Sequence, residues 1–332
     1  MKLLKFMGIL ISLAVFFSLV PVAWAAEDTV SGSFTPTNVL PTVTVLNVYD
    51  SGNSTVTNMS PQVYYWVKVT AGDGNTIDDI DQLDVELFYD PTGADPAAPG
   101  VADTQNCSIL TWDKDGGGSE WVIDAGGGTT WTILTANCTK PGNMTAASGE
   151  WVFVITVGKV ATESVGAANW DVYGVATDDV GTGDMFTRDK EVLWYGEIST
   201  GASANFGSVD NDSGFADNTN EVSGISVTYI TNGDYDQQVK SDASWAGASF
   251  TANYDATGVC NDGQEFSLRA FDSDVFGSAV QVDTTGVSID ATGTLTAEAG
   301  NTVATNTVWL RIALVFQNDT YSGNIVYIIA DR

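Results

Sequence analysis

From residue 42 onward the chain is cut into short runs in which apolar side chains alternate with polar ones or continue unbroken. The runs are "TVTVLNVYD" at 42–50, "QVYYWVKVT" at 62–70, "LDVELFYD" at 83–90, "CSILTW" at 107–112, "EWVID" at 120–124, "WTILTA" at 131–136, "EWVFVITV" at 150–157 and "WDVYGVAT" at 170–177. Gly, Asp, Asn and Pro clusters separate them, as turns require. A period of two over four to eight residues describes a half-buried strand, and no stretch holds the 3.6-residue period of a long helix. Eight such strands over residues 42–177 predict one antiparallel β-sandwich domain. The polar, glycine-bearing segment 178–191, "DDVGTGDMFTRDKE", is expected to be a linker. A second β-sandwich domain is expected over 192–332, from the runs at 192–199, 223–231, 248–255, 264–271, 278–283, 306–317 and 322–330. The last two are apolar on both faces, which predicts central strands. The fold class expected is therefore all-β, two tandem antiparallel sandwiches. One large sandwich is the alternative that length alone leaves open.

Ahead of these strands stand Lys2 and Lys5, an apolar run from Phe6 to Val20, Pro21 and the small-x-small triplet Ala23-Trp24-Ala25. This is the layout of a secretory signal peptide over 1–25, with the mature chain beginning at Ala26. The run is shorter than the roughly 20 residues of a spanning helix, so no stable membrane span is expected after cleavage. A pilin-type leader cut after Gly8 is the alternative. Residues 26–41 are expected to form an extended arm, and such a strand can add to the sheet edge of a neighbouring subunit. Removal of Lys2 and Lys5 leaves ten basic residues against 42 acidic ones, a net charge of −32. A chain so acidic repels nucleic acid and anionic membranes, which removes both from the expected partners. Charged residues are only 16% and hydrophobic ones 44%, so the acidity belongs to the surface of a packed protein, not to a disordered tail.

"SPQVYYWVKVTAGDGNTIDDIDQLDVELFYD" at 60–90 resembles the opening strands and acidic connecting loop of immunoglobulin-like domains in secreted bacterial and archaeal cell-surface proteins. "WDVYGVATDDVGTGD" at 170–184 is similar to their late strand and Asp-rich exit. "DTYSGNIVYIIA" at 319–330 resembles the closing strand of small extracellular sandwiches in surface and coat proteins. The resemblance covers about a third of the chain. It implies an immunoglobulin-like fold and a structural role outside the cell, with no catalytic residue to carry over.

The chemistry is bounded first by an exclusion. The chain has no histidine, which removes Ser-His-Asp and Cys-His catalysis and His-ligated zinc. None of the six lysines beyond the leader has Ser three residues before it, and no G-x-S-x-G occurs. Paired carboxylates are too abundant in so acidic a chain to signal a hydrolase, and no enzyme activity is expected. "DDIDQLD" places Asp78, Asp79, Asp81 and Asp84 within seven positions, and the exit loop adds Asp178 and Asp179. Oxygen ligands on loops that meet at one end of a sandwich suit calcium, although the spacing matches no defined calcium loop and a solvated loop explains the same residues. "WDKDGGGSEWVIDAGGGTTW" spaces Trp112, Trp121 and Trp131 almost evenly. Exposed, these rings would stack on sugars; buried, they would be core. Cys107 and Cys138 are placed to pair as a disulfide in an oxidising compartment, leaving Cys260 buried or intermolecular. Seven N-x-Ser/Thr sequons, at Asn53, Asn58, Asn106, Asn137, Asn143, Asn211 and Asn318, permit glycosylation.

The function expected from these residues is a secreted, non-catalytic structural or adhesive protein of the cell surface, with calcium as a candidate stabiliser. Its partners would be surface proteins or glycans, with self-assembly admitted. A carbohydrate-binding module and a filament or pilin-like subunit built by strand addition are the alternatives.

Overall fold

Strands carry the whole architecture of the computed structural model, whose described residues are 29–34, 37–93, 100–126, 128–211, 214–294, 296 and 302–332. The expected signal peptide, 1–25, lies outside them. The chain divides into two units, residues 1–37 and 38–332. The described part of the first unit contains no strand, and Val30 and Phe34 are 93% and 91% exposed. In the second unit, the runs predicted between 42 and 177 appear as β1 (Thr42–Tyr49), β3 (Tyr64–Gly72), β4 (Gln82–Asp90), β5 (Cys107–Asp113), β6 (Trp121–Asp124), β7 (Thr132–Ile133), β8 (Ser148–Thr156) and β9 (Asn169–Thr177). A two-residue strand, β2 (Asn58–Met59), is added between the first two.

The segment expected as a linker is strand β10 (Thr182–Val192), antiparallel to β9 with Thr182 opposite Thr177. This correction has a local cause. Asp178 accepts hydrogen bonds from the backbone N–H of Val180 and Gly181 at 2.8 and 2.7 Å, which closes a tight turn and returns the chain along β9. Gly183 then passes so close to the entry of β1 that a Cβ there would stand 1.9 Å from the Pro41 carbonyl oxygen. The chain leaves this half only at Leu193–Tyr195.

β1, β3, β8 and β7 form a four-stranded sheet, and β2, β10, β9, β4, β5 and β6 a six-stranded one. Inward-facing side chains of both sheets share one core that includes Val67 and Val69 of β3, Trp151 and Phe153 of β8, Leu83 and Val85 of β4, Trp112 of β5 and Trp170 of β9. Burying such rings and branched chains at about 25 cal/mol per Å2 of apolar surface is the main force holding the two sheets together.

The remaining strands are β11 (Gly196–Ser199), β12 (Glu221–Thr231), β13 (Tyr235–Ser241), β14 (Ser244–Ala246), β15 (Thr251–Tyr254), β16 (Glu265–Phe271), β17 (Val280–Gln281), β18 (Val287–Gly293), β19 (Thr302–Ile312) and β20 (Ile325–Asp331). One sheet runs β11-β12-β19-β16-β15-β14, with β17 also on β16, and a three-stranded sheet runs β18-β13-β20. Their shared core, separate from the first, holds Val227, Tyr229, Phe266, Leu268, Val308 and Leu310. β19 is central, as its apolar character predicted. β20 is not: the centre of its sheet is β13, "YDQQVKS", whose inward residues include Gln237 and Ser241. Gln237 is tolerated there because its Nε2 donates to Asn306 Oδ1 at 2.6 Å within the core.

The two halves meet on Asn232, which is fully buried. Its Nδ2 donates to the carbonyls of Ala161 and Leu193, both at 2.9 Å, and its Oδ1 accepts from the Tyr195 N–H at 2.6 Å. Its own carbonyl accepts from the Glu163 N–H at 2.8 Å, and its N–H donates to Tyr195 O at 3.1 Å. A buried amide with every group engaged costs little to bury and fixes geometry. Lys159 of the first half also pairs with Glu197 of the second at 2.8 Å.

Candidate functional site

Of the six aspartates expected to gather round calcium, four have carboxylates engaged elsewhere. Asp78 and Asp79 ride a 3₁₀ turn, Ile77–Asp79, that forms because Ile77 and Ile80 are both buried beneath it. Lys114 answers the charge: its Nζ lies 3.4 Å from the Asp78 carboxylate and donates to the Asp78 carbonyl. Asp81 is exposed. Asp84 points off β4 and accepts from Gln82 Nε2 and Thr111 Oγ1, both at 2.7 Å. Asp178 closes its turn, and Asp179 accepts from Asn38 Nδ2 at 2.7 Å. No three of these carboxylates converge.

Trp112, Trp121 and Trp131 are 0%, 9% and 2% exposed, so they cannot form a sugar-stacking platform. Trp112 packs on Trp151 at 5.4 Å between ring centroids, Trp121 edge-on to Phe153 at 5.0 Å, and Trp131 on Trp170 at 5.8 Å. Trp112 and Trp121 face inward because alternation along β5 and β6 puts them on the core side, and Trp131, just before β7, is held there by its Nε1 donating to the Thr104 carbonyl at 3.0 Å. The expected Cys107–Cys138 disulfide is also absent, and all three cysteines are free. Cys107 opens β5 of the six-stranded sheet, whereas Cys138 lies beside the four-stranded one, where its Sγ accepts from the Val154 N–H of β8 at 3.3 Å. The two thiols thus belong to different layers. Cys260 is buried, which decides between its two expectations, and burial pushes the thiols of Cys107 and Cys260 up to about 11.

Among the described residues, the acidic group whose ligand oxygens all lie within 4.8 Å of one another is Asp217, Glu221 and Asp274. Glu221 starts β12; Asp217 precedes it by four residues, and Asp274 sits in the loop after β16. Two aromatic rings bring these loops together. Phe215 and Phe276 both pack against the Arg269 guanidinium, with its Cζ 4.9 and 5.8 Å from their centroids. Phe276 meets Trp309 edge-on at 5.6 Å, and Trp309 Nε1 donates to Glu221 Oε2 at 2.8 Å. The Asn218 N–H donates to the same oxygen at 3.0 Å. Glu221 is therefore held in place while Asp217 and Asp274 face solvent. Oxygens so spaced fit the 2.3–2.6 Å ligand distances of a hard cation such as calcium. The sequence concealed this group because its members are scattered over 58 positions, from 217 to 274, with no motif spacing.

A cavity of about 560 Å3 opens in the second half between segments 204–211 and 316–321. Its floor is Trp245, Phe266, Leu310 and Ile312, and its walls carry Phe206, Phe316 and Tyr321. Trp245 packs tilted against Phe266 at 4.7 Å, and Phe316 meets Tyr321 edge-on at 5.1 Å. Asn205, Gln317, Asn318 and Asp319 add polar groups at its lining, and no lysine or arginine lines it. Hydrogen bonds from the backbone of Ser249, Thr320 and Phe250 hold the Asp319 carboxyl below the usual carboxylate range. Its size falls within that of small-molecule sites.

One titratable group stands out at the junction. Glu163, from the loop between β8 and β9, lies over Gly233, where a Cβ would stand 2.0 Å from its Oε2. Desolvation, followed by the charges of Asp331 and Asp234, pushes its carboxyl up to about 7.

No family model matches this chain, and no curated protein matches it either.

Proposed function

We propose that this chain is an exported, non-catalytic structural or adhesive protein of a cell surface, built from two immunoglobulin-like β-sandwich domains. The observation that carries the reading is the junction at Asn232. A saturated, buried set of hydrogen bonds makes a stiff spacer of two separately cored halves, which suits a load-bearing or displayed unit better than a catalyst that must open and close. The leader-like start and the acidic surface agree with export. Negative-stain electron microscopy of residues 26–332 tests the role. Ordered filaments or sheets, or discrete stiff two-lobed particles, agree with it; halves at variable angles contradict the stiff-spacer reading.

Calcium belongs to this reading at Asp217, Glu221 and Asp274 instead of the loops predicted from sequence. A ligand bound by the folded state alone raises stability by mass action. Calcium is therefore expected to raise Tm more than sodium chloride of equal ionic strength, and Asp217→Asn with Asp274→Asn to remove the excess.

The aromatic cavity favours a second reading, neutral-saccharide binding. Three half-buried rings, Phe206, Phe316 and Tyr321, offer faces to sugar C–H groups over a floor of buried Trp245 and Phe266, and the side-chain amides suit hydroxyls, while the absence of a lining cation gives an anionic ligand nothing to pair with. Titration of tryptophan fluorescence with cellobiose, maltose and chitobiose tests it. A saturable change abolished by Phe316→Ala supports the reading; a flat response to all three ends it.

A further inference from the structure

We infer that the protein is N-glycosylated, with Asn143 the acceptor its structure prepares best. The sequons alone are a composition-level hint, but their placement is an independent observation. Asn53, Asn58, Asn106, Asn137, Asn143, Asn211 and Asn318 are all exposed, whereas six of the other twelve described asparagines are not. Asn232 and Asn306, the fully buried ones, carry no sequon. Six of the seven sequon asparagines lie outside strands; the seventh, Asn58, is on the short outermost strand β2. Asn53 has a left-handed φ of 65°, as a tight turn demands.

Asn143 adds a local geometry. Its Oδ1 accepts from the Thr145 hydroxyl at 2.8 Å and from the Thr145 N–H at 3.2 Å. The sequon threonine thus orients the asparagine amide and draws density from its oxygen, while both residues remain exposed. Asn106 is the contrasting case: its Nδ2 donates to Asp103 and its Oδ1 accepts from Thr162. In the transfer, Asn143 Nδ2 bonds to the anomeric carbon of a sugar carried on a lipid phosphate. The bond from that carbon to the phosphate oxygen breaks, the lipid phosphate leaves with the electron pair, and Nδ2 gives one proton to a base of the transferase.

Position also suggests a consequence. Asn58 lies on the outermost strand of the six-stranded sheet, and Asn137 ends the 3₁₀ turn Thr135–Asn137 that follows β7, the outermost strand of the four-stranded one. Bulky glycans there would cover edges that otherwise invite strand pairing.

The inference rests on export, since a lipid-linked donor requires transfer at a membrane, and one experiment separates the two. The full chain is purified from the surface fraction of the organism that makes it and analysed by intact mass and peptide mapping. The expected result is a mass above that of the Ala26–Arg332 polypeptide by whole sugar residues, with sugar on the Asn143 peptide. Asn143→Gln and Thr145→Ala should each remove the sugar carried by that peptide, while Asn75→Gln, at an exposed asparagine without a sequon, removes none. An N terminus at Ala26 with the bare polypeptide mass overturns glycosylation and leaves export standing; an intact Met1 with the bare mass overturns both. Sugar at other sequons with an unmodified Asn143 overturns the assignment of that residue.

Discussion

Glu163 is the residue whose titration should be felt by the whole protein. Its carboxyl is raised to about 7 in the folded state from an ordinary value of 4.5, by burial and by the facing Asp331 and Asp234. The folded protein therefore holds more protons than the unfolded one between these values, so stability falls as pH rises from about 4.5 to 7 and stays lower above it. Glu163→Gln should flatten that part of the profile and raise Tm at pH 8, while changing little at pH 4. Thermal melts across this range check the sign. Asn232 is the neutral counterpart. Asn232→Ala would strand the Ala161 and Leu193 carbonyls and the Tyr195 N–H, at a cost of about 3 kcal/mol. Urea unfolding should show that loss, and a loss under about 0.5 kcal/mol would mean that solvent replaces the bonds. These two residues were invisible in the sequence, where Asn232-Gly233 reads as a turn and Glu163 belongs to no motif. Their roles arise from what another part of the chain brings to them.

Elements with clean alternation were legible. β3, β4, β5, β8 and β9 fell within two residues of the apolar runs that predicted them, because most of them bury one apolar face and β8 is buried on both over Trp151–Thr156. β10 was not, since "TGDMFTRDKEV" exposes or half-exposes most of its residues and is held by backbone pairing to β9 and by the Asp178 turn. β13 was missed for the opposite reason: its inward positions include polar Gln237 and Ser241, which break the apolar signal. The candidate calcium site failed at this scale too, because loop carboxylates close in sequence diverged while Asp217, Glu221 and Asp274 were brought together by Phe215, Phe276 and Trp309. Gly183→Ala should destabilise by about 2 kcal/mol or more, since the added methyl meets the Pro41 backbone instead of a movable side chain. Removal of residues 26–37 should leave Tm unchanged. Removal through Leu40 should lower it, because Asn38 ties the chain to Asp179 and accepts from Asn75 Nδ2 at 2.7 Å. If the shorter deletion abolishes ordered assembly, the arm is the assembling strand.

At the scale of the molecule the dominating quantity is charge. Twelve basic residues against 42 acidic ones leave a net −30 for the whole sequence, and four ion pairs connect described residues. Self-repulsion of this size destabilises the compact state and is screened by salt, so Tm should climb with sodium chloride before any specific ion is added. Against that rising baseline the calcium increment must be read. The same acidity and the absence of histidine narrowed the chemistry from the start, while the two cores and their locked junction supply the mechanical half of the account. The measurement that tests the central proposal most directly is immunogold labelling of intact cells of the source organism with antibody to residues 38–332. The account predicts label on unbroken cells, in a layer or along surface structures. Label that appears only after lysis would contradict it.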